Sequence, residues 1–593
     1  MEDGAKVEDL EIQGTDALET GTIENALYTT ESGFFPWSKD HELVKSEFLN
    51  DLQRLHVLYQ RYGYFDAELE SYAIGPAGGD GVRITLNISE GLPTRVDSLS
   101  LEGLEAIDGD ELRQELRQHI PLKEGEIFNE ADLVTSRDFL EGEFQNRGYA
   151  FAQVLLEYRI RKEEREAAVT YTVVPGEVYY FGDVEVRGAD DADDRELVRD
   201  QLAFESGQKY DRQKVLDSQR RIYELALFRR VDTEPQLASL RGDTVDVVVT
   251  VTPAPTHLVR VGVGYGTEDQ VRVRGSWLDR NLFGRGRQLE VRGLYSRLER
   301  EAAVTYRQPA LVVPNLNAVV TAFLRYEDED TYTVQRVGAT SRVGYRVSRY
   351  VQASLGVTGE RAFFTEFNRG VLIPELGRDF VNPSRLLYVD AGTSFDNTDS
   401  LFMPTRGYRG DLNYQEGLPY FSFDYGYHKV TFQISHYRQI REGWILAGKL
   451  LPGVIYTYGG LEARVPLFQR LFAGGANSVR GYERRQLGPK TEPERFGGEG
   501  DPEPIGGNGL FETSLELRFP LRGNFRGAAF VDAGNVWPTA SEISFGDLKY
   551  TPGAGIRYIT PIGPLRIDVA RRMAGGEPQL PKWVFHISIG NPF

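Results

Sequence analysis

The sequence from about residue 255 to its end consists of short segments in which large apolar residues alternate with charged or small ones. In the segment 565–570, for example, Leu, Ile and Val alternate with Arg, Asp and Ala. A period of two residues indicates β-strands whose two faces meet different surroundings. Sixteen such segments begin near His257, Gln270, Gln288, Glu301, Asn317, Tyr332, Tyr350, Arg385, Gly407, Asp424, Gly443, Gly509, Gly527, Pro552, Pro564 and Lys582. An even strand number with one apolar and one polar face predicts a 16-stranded antiparallel transmembrane β-barrel.

A soluble all-β protein is the alternative, because its strands also alternate apolar and polar residues. Strands of about nine to fourteen residues, with charged residues flanked by bulky apolar ones, favour the membrane barrel. A soluble β-rich binding protein would not partition into detergent, so detergent partitioning separates these two interpretations.

Composition removes several functional classes. The chain has 593 residues, a formal net charge of −20 and no cysteine. Without cysteine there are no disulfides, no thiolate catalysis and no cysteine-based zinc site. The acidic balance argues against nucleic-acid binding. The sequence contains no run of eighteen apolar residues, so it predicts no transmembrane helix. The acidic start lacks a signal peptide, so we expect a cytosolic protein or one whose signal peptide has been removed.

The residues before the barrel repeat themselves three times. Alternating segments that end at Gly14, Gly103 and Gly188 resemble one another, and Gly63 and Gly148 are separated by the same distance as Gly103 and Gly188. Fixed self-similarity indicates copies of one supersecondary unit. In the second copy, helical spacing over 110–118 and 130–145 precedes two strands, so we predict a β-α-α-β-β order.

We therefore predict three α+β domains at 5–91, 92–176 and 177–254, followed by the barrel at 255–593. Sheets with open edges bind other chains by strand addition, which favours a binding role for these domains. The alternative is that they are spacers.

A Gly- and Pro-rich segment at about 465–509 is much longer than an ordinary connection between strands, and such loops are usually functional or disordered. It contains the motif Val479, Arg480, Gly481 and Tyr482. An arginine on a long loop among strands predicts a loop folded into the barrel with the guanidinium on an acidic partner. The alternative is a flexible external loop.

The alternation of side chains along the strands predicts which residues of the barrel wall bind Arg480. Phe530, Asp532 and Gly534 share one face of a strand, and Glu516 lies on one face of the strand before it. If these faces point inward, Asp532 and Glu516 can receive the guanidinium of Arg480 in bidentate pairs. We expect the missing side chain of Gly481 to let the loop backbone pass close to the wall, with Tyr482 packed beside it.

The seam between the first and last strands is the second predicted site. The first strand has glycines at alternate positions, Gly262, Gly264 and Gly266, and glycine weakens strands. The last strand ends at Gly590, close to Phe593. A weak strand beside a short one predicts a lateral gate, where a client strand can pair with the opened edge. The alternative is that the glycines relieve crowding in a curved wall.

Enzymatic interpretations are weak. The seven histidines are scattered and form no His-Glu-x-x-His motif. The acidic run 327–330 suits a solvated loop better than a cation site. We predict no enzymatic activity, no cofactor and no metal site.

Together these features resemble the outer-membrane assembly-factor (BamA/TamA) superfamily, whose repeats are called POTRA domains. The Val479–Tyr482 motif together with the segment 530–536 is its most specific element, and supporting motifs lie at 281–286, 396–407, 514–520 and 553–568. The resemblance implies a Gram-negative outer-membrane protein with periplasmic POTRA domains.

The resemblance also implies a function. It predicts an insertase or translocation factor that assists folding, insertion or secretion of β-barrel or autotransporter-type clients through the gate. The implied partners are unfolded outer-membrane clients, a periplasm-spanning protein at the POTRA domains and the lipid bilayer. Three repeats favour a TamA-like protein. A passive protein-translocating channel and the main BamA-type assembly component remain alternatives.

Overall fold

A computed structural model describes residues 4–32, 40–78, 81–104, 110–189, 191–236, 242–367, 382–420, 423–458, 465–491, 502–521, 523–560, 563–573 and 581–589. The chain forms two compact units. The first comprises Met1–Gly188, Leu202–Arg221 and Val231–Val251, and the second comprises Ala189–Gln201, Ile222–Arg230 and Thr252–Phe593.

Three small α+β domains precede the barrel, and the predicted β-α-α-β-β order is confirmed in each. Their elements are β1 Lys6–Gln13, α1 Thr20–Ala26, α2 Lys45–Arg61, β2 Glu68–Gly78 and β3 Gly81–Ser89; β4 Arg95–Glu102, α3 Asp110–His119, α4 Glu130–Gln145, β5 Gln153–Arg161 and β6 Glu166–Val174; β7 Tyr180–Arg187, α5 Ala192–Asp200, α6 Arg212–Glu224, β8 Phe228–Pro235 and β9 Thr244–Pro253. In every sheet the last strand is central and runs parallel to the first. The first and middle strands are therefore the edges.

The repeated glycine after each opening strand has a steric cause. Gly14, Gly103 and Gly188 have φ angles of 79°, 77° and 81°, in the left-handed region that favours glycine. A methyl group at any of them would overlap a backbone carbonyl of the last strand in the same domain. Those carbonyls belong to Ile88, Val173 and Val251. The sequence repeat thus follows from a close backbone approach that is made three times.

The second helix of the middle domain shows how these units are built. Asn129 caps α4, because its side chain accepts a hydrogen bond of 2.8 Å from the backbone N–H of Ala131. The face formed by Leu133, Leu140 and Phe144 is buried in the domain core. Gly148, shortly after this helix, has φ 101°, in the left-handed region that favours glycine.

A buried tyrosine organises the start of the first domain. The hydroxyl of Tyr59 donates a 2.9 Å hydrogen bond to Glu90, which also accepts from the backbone N–H groups of Asp16 and Ala17. Burial and the contact with Glu90 raise the pKa of Tyr59. The phenol therefore stays a neutral donor and ties the segment before α1 to the end of β3.

The second unit contains a nearly closed barrel of sixteen antiparallel strands in chain order, as predicted. The strands are β10 His257–Gly266, β11 Gln270–Asp279, β12 Gln288–Tyr295, β13 Glu299–Gln308, β14 Leu316–Asp328, β15 Tyr332–Arg346, β16 Val351–Phe367, β17 Ser384–Asp396, β18 Gly407–Gly417, β19 Tyr427–Arg441, β20 Trp444–Thr457, β21 Gly509–Pro520, β22 Phe525–Trp537, β23 Lys549–Tyr558, β24 Leu565–Arg571 and β25 Trp583–Ile589. Their lengths run from 7 residues in β24 to 17 in β16, a wider range than predicted.

The alternation of side chains separates two environments. On β10, Val259, Val261 and Val263 are 68%, 74% and 76% exposed, so the outer face presents apolar side chains to the surroundings. On β21, Glu512 and Glu516 are buried on the inner face. Apolar residues outside and charged residues inside are the pattern of a barrel that faces lipid. None of the described helices is long and apolar enough to cross a membrane.

The seam differs from every other strand contact in the described part of the chain. Each pair of consecutive barrel strands forms an antiparallel ladder, but β10 and β25 do not pair in a ladder over their described residues. Over the described residues, one backbone–backbone hydrogen bond of 3.1 Å joins them, from the N–H of Thr267, directly after β10, to the carbonyl of Ile587. The backbone N–H of Ile587 also donates a hydrogen bond of 3.4 Å to the hydroxyl of Thr267. Fifteen pairs of neighbouring strands are therefore joined by ladders, whereas the contact between β10 and β25 has no ladder over the described residues.

Candidate functional site

The long loop between β20 and β21 folds back into the barrel. Gly474 and Gly475, with φ angles of 102° and 117°, turn the chain, and Gly475 N–H donates a 3.0 Å hydrogen bond to the carbonyl of Tyr482. Val479 and Tyr482 are buried in an apolar cluster with the wall residue Val536. The loop therefore presents one compact turn to the wall, with Arg480 at its tip.

Arg480 is fully buried and bound mainly by Asp532. Its Nε and Nη2 atoms each donate a 2.8 Å hydrogen bond to the Asp532 carboxylate, and its backbone N–H donates a third of 3.0 Å. Nη1 donates to Glu516 at 2.6 Å. The guanidinium carbon lies 3.2 Å from the centre of the Phe530 ring. The structure thus brings together Arg480, Asp532, Glu516 and Phe530.

The wall charges around Arg480 form a larger network. Glu516 also accepts hydrogen bonds from Arg518 at 2.8 Å and Arg557 at 3.3 Å. Asp568 on β24 lies 3.4 Å from Arg480 and is paired with Arg557. Buried charges are tolerated when they are paired and hydrogen-bonded. The loop arginine is therefore one member of a network carried by β21, β22, β23 and β24.

Two glycines make room for the motif. A methyl group at Gly481 would overlap Thr551 on β23, whose hydroxyl accepts a 3.3 Å hydrogen bond from Gly481 N–H. A methyl group at Gly534 would lie 2.8 Å from the carbonyl of Phe511 and 2.9 Å from Val479. Each close approach leaves no space for a side chain.

Sequence reasoning missed several residues that hold the backbone of the loop. Lys449 on β20 donates a 2.8 Å hydrogen bond to the carbonyl of Asn477, and Arg566 on β24 donates one of 3.0 Å to the carbonyl of Ala476. His586 on the last strand donates a 2.9 Å hydrogen bond to the carbonyl of Arg480. Alternation places these side chains in the lumen, but their height along the barrel axis is set by strand register.

The acidic run 327–330 is not simply a solvated loop, and that expectation was wrong. The side chain of Glu329 is 8% exposed because Arg484 and Arg485, both on the long loop, lie 2.8 Å and 3.1 Å from it. Glu327 pairs with Arg336 at 2.7 Å. A spacing argument within the run could not reveal cations that come from a loop more than 150 residues away.

The first hairpin of the barrel also touches the loop. Glu268, between β10 and β11, accepts a hydrogen bond of 2.5 Å from Ala476 N–H and lies 3.9 Å from His586. A cavity of about 500 Å³ beside the seam is lined by Glu268, Arg484 and Ser588. The loop, the first hairpin and the last strand therefore meet at one carboxylate.

The seam glycines lie in open space. A methyl group at Gly262 or Gly264 would have no neighbour within 4 Å, and one at Gly266 would meet the side chain of Asp269. Relief of crowding thus does not explain Gly262 or Gly264, and that alternative is wrong for them. Gly590 and Phe593 lie outside the described residues. Among the described residues no cluster of three or more His, Asp or Glu side chains is arranged to hold a metal ion.

A sixteen-stranded barrel with an apolar outer face and a loop arginine buried among wall carboxylates, preceded by three small α+β domains, defines a β-barrel membrane protein with N-terminal α+β domains. The family comparison agrees with this class. Residues 281–593 match the model of the Omp85 superfamily domain, and residues 5–91, 94–176 and 179–254 match the POTRA model, described as a surface antigen variable number repeat. The chain belongs to the Omp85 superfamily.

Curated relatives and a solved structure are similar over most of the chain. The outer membrane protein assembly factor BamA of Neisseria meningitidis serogroup B is 23% identical over 95% of this chain and 76% of its own length. BamA of Nitratidesulfovibrio vulgaris is 26% identical over 95% of this chain and 70% of its own length. The crystal structure of BamA from Haemophilus ducreyi lacking POTRA domains 1–3 superposes with a TM-score of 0.61 at 22% identity. It covers 84% of this chain and 100% of that one.

These findings also give the location. The protein lies in the outer membrane, and its POTRA domains are periplasmic.

Proposed function

We propose that this protein assists the folding and insertion of β-barrel or autotransporter-type clients into the outer membrane through a lateral gate between β10 and β25. The observation that carries this proposal is the seam, where over the described residues one backbone–backbone hydrogen bond takes the place of a ladder. Unpaired strand edges are templates for strand addition. A client strand that pairs with β10 or β25 would satisfy backbone groups that lipid leaves unsatisfied.

The loop supports this role by keeping the rest of the wall rigid. Arg480 ties the loop to β22, β21 and β24, all close to the seam along the sheet. The network lies on the lumenal side and leaves the backbone edge of β25 free of ladder partners over its described residues. The wall beside the gate can then keep its shape while the gate strands separate.

The proposal needs no chemical catalysis and no cofactor. A client strand inside the membrane gains backbone hydrogen bonds and buries apolar side chains in lipid, and both changes favour insertion. The protein then acts by lowering the barrier to entry. In this proposal Gly262, Gly264 and Gly266 weaken β10, and Gly590 and Phe593 belong to the other side of the gate.

The POTRA domains would receive unfolded clients or a periplasm-spanning partner. The middle strands of the first two domains, β2 and β5, are sheet edges and carry exposed apolar residues. Those residues are Tyr72, Leu155 and Tyr158. Edges of this kind can accept an extended segment of a client.

A disulfide across the seam tests the gate, and the cysteine-free chain makes the experiment clean. Thr267→Cys with Ile587→Cys joins the two residues that share the seam hydrogen bond. After oxidation, insertion of an unfolded β-barrel client into liposomes should fall to the rate of protein-free liposomes and recover on reduction. The matched control is Val261→Cys with Gly275→Cys, which links β10 to its ladder partner β11 and should leave insertion unchanged. Full insertion by the oxidised seam variant would refute the gate.

Two alternatives predict different outcomes. A passive protein-translocating channel would conduct ions in planar bilayers without accelerating insertion in liposomes. A main BamA-type component would lower outer-membrane β-barrel proteins in general when it is depleted, whereas a TamA-like protein would lower only a subset.

A further inference from the structure

Two arginines face outward from the barrel wall, directly opposite each other. Arg361 on β16 and Arg385 on β17 are cross-strand partners. Their neighbours in the sequence, Ala362 and Leu386, are buried on the inner face, and both arginines are exposed. The alternation of a strand therefore directs both guanidinium groups to the lipid-facing side.

This pair is electrostatically incomplete. Like charges directly opposite on a sheet destabilise it unless an anion lies between them. Asp424 compensates Arg385, with a carboxylate oxygen 3.3 Å from Nη2. Among the described residues Arg361 contacts no carboxylate; its guanidinium carbon lies 5.1 Å from the centre of the Phe363 ring. Over the described residues, one positive charge is thus left on the lipid-facing surface.

The position along the barrel axis defines the membrane leaflet. The chain enters β10 from the periplasmic POTRA domains and alternates direction, so β16 runs outward and β17 runs back. Arg361 and Arg385 lie near the end that carries the long loop, which is the extracellular end. The lipid that surrounds these two arginines is therefore that of the outer leaflet.

The same arrangement recurs at this end of the wall. Arg300 on β13 also faces outward, with its guanidinium carbon 4.8 Å from the ring of Tyr326, and Arg571 on β24 lies 5.6 Å from the ring of Trp583. Aromatic side chains mark the interfacial level of a membrane protein. Arginines stacked on them lie at the level of lipid headgroups rather than of acyl chains.

We propose that Arg361 and Arg385 form a binding site for a phosphate group of an outer-leaflet glycolipid. Planar guanidinium groups bind phosphate in bidentate fashion, and opposed cross-strand side chains are close enough to share one anion. The anion removes the repulsion between the two arginines. The bound lipid also covers the strands that flank the connection between β16 and β17.

Native mass spectrometry of the full chain in detergent tests this site, with diphosphoryl lipid A as the probe. The double variant Arg361→Gln/Arg385→Gln should bind about tenfold more weakly, the loss of one or two charge-assisted hydrogen bonds. Arg361→Lys keeps the positive charge but lacks the planar guanidinium that binds phosphate in bidentate fashion, so it should bind at an intermediate level. The matched control is Arg438→Gln, because Arg438 is exposed at the periplasmic end of β19, away from the outer leaflet. Heat-modifiable migration on a gel confirms that each variant is folded.

Three results would overturn the proposal. They are unchanged binding by the folded double variant, equal binding of lipid A after removal of its phosphates, and equal binding of phosphatidylglycerol. The last result would mean that any anionic lipid suffices. Weaker binding by the double variant together with preference for the phosphorylated glycolipid would support it.

Discussion

Arg480 illustrates why a buried charge can define a structure. Removing a guanidinium from water is costly, and the cost is offset only by well-placed opposite charges and hydrogen bonds. Here the arginine has Asp532, Glu516 and Asp568 within 3.4 Å. A loop docked elsewhere would leave these carboxylates beside too few cations. The network thereby selects one position of the loop.

Replacement of this arginine should therefore be severe. Arg480→Ala leaves Asp532 without its main partner, and breaking a buried pair typically costs about 3–5 kcal/mol. We expect the loop to become protease-sensitive and the temperature at which the barrel loses its folded gel migration to fall. The matched control is Arg484→Gln on the same loop. The Arg484 side chain is 39% exposed and Arg485 still pairs with Glu329 in this variant, so the loss of stability should be smaller than in Arg480→Ala. Equal stability of both variants would show that Arg480 is not the anchor.

Gly481 should tolerate no side chain. Gly481→Ala places a methyl group on Thr551, so the turn must move away from β23 and lose its contacts. We expect loop protection from protease to fall as it does in Arg480→Ala, with partial recovery when Thr551→Gly is added. Gly359→Ala on β16 is the control, because a methyl group there meets nothing within 4 Å. Normal loop protection in Gly481→Ala would contradict the steric account.

Part of this site could be predicted from the sequence. Strand alternation indicates which side chains face inward, and that was enough to name Asp532 and Glu516. Thr551, Asp568 and His586 were missed because alternation defines the face and not the height. Their height depends on the stagger between neighbouring strands, which requires the ladder register.

At the scale of single elements, the strand β10 contains two glycines, Gly262 and Gly264, that are surrounded by open space. A methyl group at Gly262 or Gly264 meets no atom within 4 Å, so packing does not require glycine at either position. Glycine has the largest backbone freedom of any residue and costs stability in a strand interior. Glycine at these two positions therefore weakens the pairing of β10 with β11, so that β10 can separate from β11 more easily.

Alanine at both positions should separate stability from function. Gly262→Ala/Gly264→Ala should stabilise the barrel by about 0.5–1 kcal/mol per site, because the unfolded chain loses freedom. We expect a higher unfolding temperature together with slower client insertion in liposomes. Gly275→Ala on β11, also free of neighbours, should raise stability without slowing insertion. Faster or unchanged insertion by the double variant would refute a role for flexibility in β10.

The order of the elements was easier to predict than their lengths. Alternation and turn residues predicted all sixteen strand starts to within three residues, because both signals are local. Strand ends depend on how far neighbours continue to pair, which is not local. β16 therefore reaches 17 residues between two long partners, whereas β24 has 7.

At the scale of the whole barrel, the long loop between β20 and β21 lies inside the lumen. Leu467 and Phe468 pack against Tyr332 and Phe364 of β15 and β16, while Arg480 binds the wall near the seam. The loop thus crosses the interior from one wall to another. The described part of this segment therefore lies across the space through which ions would pass.

Removing the loop should convert the barrel into a conducting pore. With residues 467–505 replaced by a short Gly-Ser linker, single-channel conductance in planar bilayers should rise well above that of the intact chain. Arg480→Ala should give fluctuating conductance, because its loop is present and unanchored. A deletion variant that is folded and still non-conducting would show that other residues close the lumen.

The two residues that meet at the seam are far apart in the sequence, and this distance affects the order of folding. Arg480 and Asp532 are 52 residues apart, whereas Thr267 and Ile587 are 320 apart. Loop-closure entropy makes the second contact costlier by about 1.6 kcal/mol before any bond forms. The anchored turn and its wall strands can assemble as an early, local nucleus, with the ends of the sheet meeting last. The final step of this protein's own biogenesis is then the one whose reversal the proposed function requires.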